Sequence, residues 1–156
     1  MDPCLVGKLV TEVEVKRYAE KHYEMFRHYV EVPIAVPQIY KSVKVIEGDG
    51  NYSGCVKEWD YVSAGSPLIV EEQTTYMDET MTVCHSMVGG ALKKDYKKFN
   101  LILAVSPNSK DDGCGGTVRF SIEYEKNNED SPAPITYIAL CQKIIEGMNA
   151  YLCSSE

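Results

Sequence analysis

In the stretch TVCHSMVGG, residues 82–90, Cys84 stands beside His85, the residue types of a nucleophile and the base that would activate it. The stretch alternates like a β-strand, and consecutive strand residues point to opposite faces of a sheet, so these two do not form a dyad. His85 is one of three histidines, and alone it offers proton transfer near neutral pH or a hydrogen bond to a ligand. The six cysteines, at 4, 55, 84, 114, 141 and 153, contain no CxxC and no Cys/His pair at ligand spacing. They read as free thiols, and neither metal nor cofactor is expected. The glycine-rich GDGNYSG, residues 48–54, lacks the G-K-[ST] ending of a phosphate-binding loop and joins two strands, where a nucleotide site wants a strand leading into a helix.

The elements that position these residues follow from periodicity. LVGKLVTEVEV puts Leu9, Thr11, Val13 and Val15 on one face and Lys8, Glu12 and Glu14 on the other, a half-buried strand. From about Arg17 the period changes, with Ala19, Tyr23, Phe26 and Val30 on one helical stripe. Pro33 and Pro37 break the chain, predicting a second helical turn within 33–39. Strands are then expected in YKSVKVIEG, CVKEWDYV, PLIVEEQTTY and ETMTVCHSMV, with two more near 98–105 and 117–125 around the loop SPNSKDDGCGG. A long C-terminal helix follows. Ser131 and Pro132 suggest its start, and Ile138, Cys141, Ile145, Met148 and Leu152 its buried stripe. Gly147, a weak helix former, marks a bend or a close contact there. One strand, two short helices, six strands and a long helix predict an α+β fold, a curved antiparallel sheet with the last helix over its concave side.

The chain has 156 residues, 44% of them hydrophobic and 25% charged, the proportions of one globular domain spanning 1–156. Its formal net charge is −7, and lysines cluster only in KKDYKK at 93–98, so nucleic acid is not an expected partner. No basic, apolar leader opens the chain and no run approaches the ~18 apolar residues of a membrane span. A cytoplasmic location is expected.

The segments AVPQIYKSVKVIEGDGNYSGCVKEWDYV, EEQTTYMDET, KKDYKKFNLIL and SIEYEKNNEDSPAP resemble the major latex proteins, a branch of the plant Bet v 1 (birch pollen allergen, pathogenesis-related class ten) family. The likeness covers essentially the whole chain and is similar above all to opium-poppy latex members, a group with alkaloid-binding proteins and relatives of thebaine synthase and neopinone isomerase. It implies the helix-grip fold: seven antiparallel strands, two short helices and a long C-terminal helix around a large apolar cavity. The family usually carries EGD where this chain reads VGGA, Val88 to Ala91. Any role of that rim carboxylate does not transfer.

Matched to the family's inward positions, Met81, Val83, His85 and Met87 face the cavity, and Leu68, Val70, Glu72 and Thr74 of the preceding strand share that face. A hairpin turning near 77–79 sets Glu72 opposite His85 or diagonally beside it, with Cβ atoms roughly 4.5–8 Å apart. An inward carboxyl beside an inward imidazole can be a structural hydrogen-bonded pair, a polar anchor for a ligand, or an acid–base dyad. The remaining wall is read from the same faces: Trp59 and Tyr61, Phe99 and Leu101, Phe120 and Ile122, with Phe26 from the first helix and Ile138, Gln142 and Ile145 from the last. Each apolar position alone is equally explained by core packing. Together they describe an aromatic pocket for a bulky, flat, weakly polar molecule whose amine Glu72 and the ring faces could hold.

Two functions are therefore expected to compete. One is a carrier of hydrophobic plant metabolites, benzylisoquinoline alkaloids above all, in the latex cytosol. The other is an isomerase or elimination catalyst in which His85 and Glu72 move a proton. A non-selective stress protein binding hormones, flavonoids or lipids is the plainer third. The resemblance also implies a capacity to form homodimers.

Overall fold

The computed structural model describes residues 5–63, 65–108 and 115–154. β1 (Val6–Val15) is followed by helices α1 (Ala19–Arg27) and α2 (Glu31–Ala35). Then come β2 (Tyr40–Glu47), β3 (Val56–Ser63), β4 (Ser66–Met77), β5 (Thr82–Gly90), β6 (Tyr96–Pro107) and β7 (Gly116–Lys126), and finally α3 (Ile135–Ser154). The seven strands form one curved antiparallel sheet in the order β1-β7-β6-β5-β4-β3-β2. Helix α3 packs across β1, β7 and β3, and α1 lies against β5, β6 and β7. No helix among the described residues is long and apolar enough to cross a membrane.

The period-2 reading of β1 holds residue by residue: Lys8, Glu12 and Glu14 are exposed, while Leu9, Thr11 and Val13 are half-buried and Val15 is buried. The helical boundaries shift. Helix α2 starts at Glu31, which places Pro33 in a first turn whose N–H groups have no intrahelical acceptor. Helix α3 starts at Ile135, after the expected Ser131 and Pro132; Pro132 and Pro134 keep the approach extended, and Pro134 O accepts the first helical bond, from Ile138 N at 3.1 Å. Its buried face runs through Tyr137, Leu140, Cys141, Ile144, Ile145 and Met148, one step round from the expected stripe. Gly147 is a close contact: a β-carbon there would stand 3.0 Å from Val36, so glycine lets α3 close on the chain after α2.

Two local features set the register near the expected site. The β4–β5 turn is a 3-10 turn over Asp78–Thr80 closed by Met81 in the left-handed region, φ 49°, so Met77 pairs with Thr82 and Met81 belongs to the turn, not the strand. Further on, the pairing slips between Glu71↔Gly89 and Glu72↔Met87, leaving Val88 as a bulge. Pairing of β5 with β6 stops at Ser86↔Asn100; beyond it Met87, Gly89 and Gly90 pair with β4 alone and Tyr96, Lys98 and Phe99 with β7 alone. The 3-10 turn Ala91–Lys94 packs in that gap. The central part of the SPNSKDDGCGG loop, with Cys114, lies outside the described residues, as does Cys4.

Candidate functional site

Strands β3, β4 and β5 and helix α1 deliver the polar groups of the interior. Alternation along β4 buries Val70, Glu72, Thr74 and Tyr76 and leaves Leu68 half-buried. On β5 it buries Val83 and His85, leaves Met87 half-buried against the core and sends Cys84 to the other face, half-buried. Thr74 is the residue opposite His85, and Glu72, opposite Met87, is its diagonal neighbour. His85 Nδ1 shares a hydrogen bond with Thr74 Oγ1 at 3.2 Å and stands 3.9 Å from Glu72 Oε1.

That separation is too long for a hydrogen bond, and burial decides the charge state. Desolvation pushes Glu72 up to about 8, with Lys57 pulling weakly the other way. Desolvation, helped by Lys57, pushes His85 down to about 3. At neutral pH the pair is a carboxylic acid beside a neutral imidazole, not an ion pair.

Around it the rings meet across the interior. Phe26 lies 5.7 Å from His85, 6.3 Å from Trp59 and 6.0 Å from Phe120, the last edge-on. Trp59 also stands edge-on to His85 at 6.0 Å. The hollow implied by the resemblance is thus occupied here by side chains. Phe99, Leu101, Phe120, Ile122, Tyr61 and Ile145 are buried in this core, and Ile138 is half-buried against it. Gln142 is a correction: it is exposed, on the flank of α3 toward β1, where Thr11 Oγ1 donates to its Oε1 at 3.4 Å. Among the described residues, three buried polar side-chain atoms lack a protein partner, namely Glu72 Oε2, Trp59 Nε1 and, away from the pair on α1, His22 Nε2.

An open cleft of about 250 Å³ lies between Ser63, Pro67 and Leu68 on one side and Leu92, Tyr96 and Tyr137 on the other. The hydroxyls of Tyr137 and Tyr61 are hydrogen-bonded to each other, so this pair joins the cleft to the aromatic interior. At the VGGA departure a carboxylate is present after all, contributed by β4: a β-carbon at Gly89 would stand 2.5 Å from Glu71 Oε2. The loop of residues 48–54 folds onto β4, with Tyr76 Oη donating to Gly50 O at 2.9 Å and Gly54 N to Thr74 O at 2.8 Å. Arg27 ties α1 to the same region, donating to Asn51 O and, at 3.0 Å, to Asp78.

Sequence reasoning missed Lys57, Tyr40 and Tyr137, all buried. For Lys57 the signal was available: it precedes Trp59 and Tyr61 by two and four, on the same strand face. The described cysteines are free thiols, Cys55 and Cys141 buried, Cys153 exposed.

Comparison with known proteins agrees with this architecture. The chain is 52% identical over 151 residues to Major latex protein 149 of Papaver somniferum, covering 97% of this chain and 94% of the relative. Against Major latex protein 146 of the same plant it is 50% identical over 152 residues, with the same coverages of 97% and 94%. The crystal structure of major latex-like protein 151 from Panax ginseng superposes with a TM-score of 0.87 at 26% identity, covering 94% of this chain and 97% of that one. The solution structure of a major latex protein family member from Arabidopsis thaliana matches at a TM-score of 0.69 and 30% identity, covering 99% of both chains. With residues 4–155 matching its sequence profile, the chain belongs to the pathogenesis-related protein Bet v 1 family, whose members generally bind small hydrophobic ligands.

Proposed function

We propose that this protein is a cytoplasmic carrier that binds basic amines bearing aromatic rings, of the benzylisoquinoline alkaloid type, in its interior, entering through the Tyr96–Tyr137 cleft. The observation that carries the reading is the pair of buried atoms without protein partners, Glu72 Oε2 and Trp59 Nε1, inside an aromatic core. Unpaired buried polar groups are costly, and a ligand offering a cationic N–H and an acceptor would satisfy both. The ring faces of Phe26 and Trp59 suit a flat guest. The similarity to opium-poppy latex proteins supports the choice of ligand class.

The charge state makes the reading testable. A cation beside Glu72 favours its carboxylate, so binding below pH 8 releases a proton, and affinity for a protonated amine rises with pH up to about 8. The expected slope approaches tenfold per pH unit. The test follows fluorescence of Trp59, the single tryptophan, with a tertiary-amine benzylisoquinoline and its neutral N-acyl analogue between pH 6 and 8. Only the amine should gain affinity. Absence of saturable quenching with either compound overturns the reading.

One observation favours a catalytic alternative: an acid and a neutral base lie 3.9 Å apart. In that case Glu72, at about 8, is better matched than His85, at about 3, to exchange a proton near neutrality. Mass spectrometry of the same samples separates the alternatives, since an isomerised or eliminated product belongs to the enzyme alone.

A further inference from the structure

Tyr61, on β3, and Tyr137, in the first turn of α3, meet where the cleft joins the interior: their rings stand edge-on with centroids 5.9 Å apart, and their hydroxyls are hydrogen-bonded to each other. Both side chains are buried, and Tyr137 also lines the cleft. Two phenols carry two protons, and the bond between them uses one. Among the described residues neither hydroxyl has a further partner, so one O–H is left over to donate at this boundary. Tyr96, the other buried tyrosine of the cleft, differs, because its hydroxyl is committed to Pro132 O at 2.6 Å. Burial above all raises the pKa of both paired phenols well above the ordinary tyrosine value, so they stay protonated donors.

Rings continue inward from the pair. Tyr61 lies 5.6 Å from Tyr40 and Tyr40 5.4 Å from Trp59, centroid to centroid, and Trp59 stands 6.0 Å from His85, the neighbour of Glu72. An aromatic wall thus leads from the cleft to the buried carboxyl. Tyr61 pairs with Leu68 across β3 and β4, and Glu72 lies four residues further along β4, roughly 13 Å of strand. The spare hydroxyl proton and Glu72 therefore mark the two ends of one wall. We propose that the Tyr61–Tyr137 pair is an oxygen-recognition point, which donates its spare hydrogen bond to an ether or carbonyl oxygen of a guest whose amine lies at Glu72. Such a guest carries its basic nitrogen and its acceptor oxygen at opposite ends of a ring system, and an analogue without the oxygen leaves the donor unpaired. This deepens the carrier reading and rests on it.

The test compares a tertiary-amine benzylisoquinoline bearing methoxy groups on its benzyl ring with the same amine bearing ethyl groups there, which keep the shape and remove the acceptor. Trp59 fluorescence is titrated in the unaltered protein and in the double variant Tyr61→Phe, Tyr137→Phe, which keeps both rings and removes both hydroxyls, a change that costs the fold little. The ratio of methoxy to ethyl affinity is expected to fall roughly five- to tenfold in the double variant, with the affinity for the ethyl compound kept. An equal ratio in the two proteins, with saturable quenching in both, overturns this proposal and leaves the carrier reading standing. No quenching of the unaltered protein by either compound overturns both. If the double variant fails to fold, a crystal structure of the unaltered protein with the methoxy compound decides: a guest oxygen within about 3 Å of either hydroxyl bears the proposal out, and none within that reach overturns it.

Discussion

Glu72→Gln should stabilise the protein at pH 9 by on the order of 4 to 5 kcal/mol while leaving it nearly unchanged at pH 4. The folded-state pKa of Glu72 is raised from 4.5 to about 8, so between those values the folded chain holds a proton that the unfolded chain has lost. Stability therefore falls as pH rises through that window, and one pKa unit corresponds to about 1.4 kcal/mol. Glutamine keeps the shape of the protonated acid and removes the decline. His85 acts on the other side: lowered from 6.5 to about 3, it makes stability rise with pH over that interval, because there the unfolded chain binds the extra proton. The two slopes cancel between about 4.5 and 6.5, where this pair predicts a plateau. Urea melts of both proteins from pH 3 to 9 check this. Curves that stay parallel to pH 9 would mean that Glu72 is ionised at no cost in the fold.

Phe120→Ala is expected to cost about 3 to 5 kcal/mol of stability, the usual range for an aromatic ring lost from a packed core. Phe120 is fully buried on β7 and packs edge-on against Phe26. Because rings occupy the interior, an entering ligand must displace some of them, so the same substitution should tighten binding of a bulky amine as it weakens the fold. Melts and Trp59 titrations of one preparation give both quantities. Weaker binding together with lower stability would place the ligand elsewhere, with the 250 Å³ cleft as the next site to probe.

The strand faces were legible because a half-buried antiparallel sheet imposes a period of two, and β1, β3 and β4 keep it. The order of elements predicted the closure by α3, and the family resemblance agreed with it. The partner of His85 was only half legible: face assignment put Glu72 near it, but the left-handed Met81 lengthened the turn and made Thr74 the residue opposite. Turn conformation depends on tertiary contacts that alternation does not encode. Gln142 was misplaced because a mostly apolar helix gives a poorly defined phase, and one step of rotation carries a residue from interior to surface. Charge states were the least legible, since desolvation depends on the whole surroundings of a group. For Lys57 the inward face was legible from Trp59 and Tyr61, but the enclosure of its amine by Cys55, Tyr76 and Tyr29 was not.

The early end of β5–β6 pairing has a mechanical consequence. Past Ser86↔Asn100 the sheet is two leaves, joined by side chains and by the turn Ala91–Lys94 in place of a ladder. The 250 Å³ cleft borders this turn, through Leu92 and Asp95, and β6 through Tyr96. Spreading the leaves there breaks no β5–β6 backbone bond, so the mouth can widen without loosening β1, β7 and the rest of β6. A sheet built this way is a stiff basket with one soft seam, and the entry route proposed above runs along that seam.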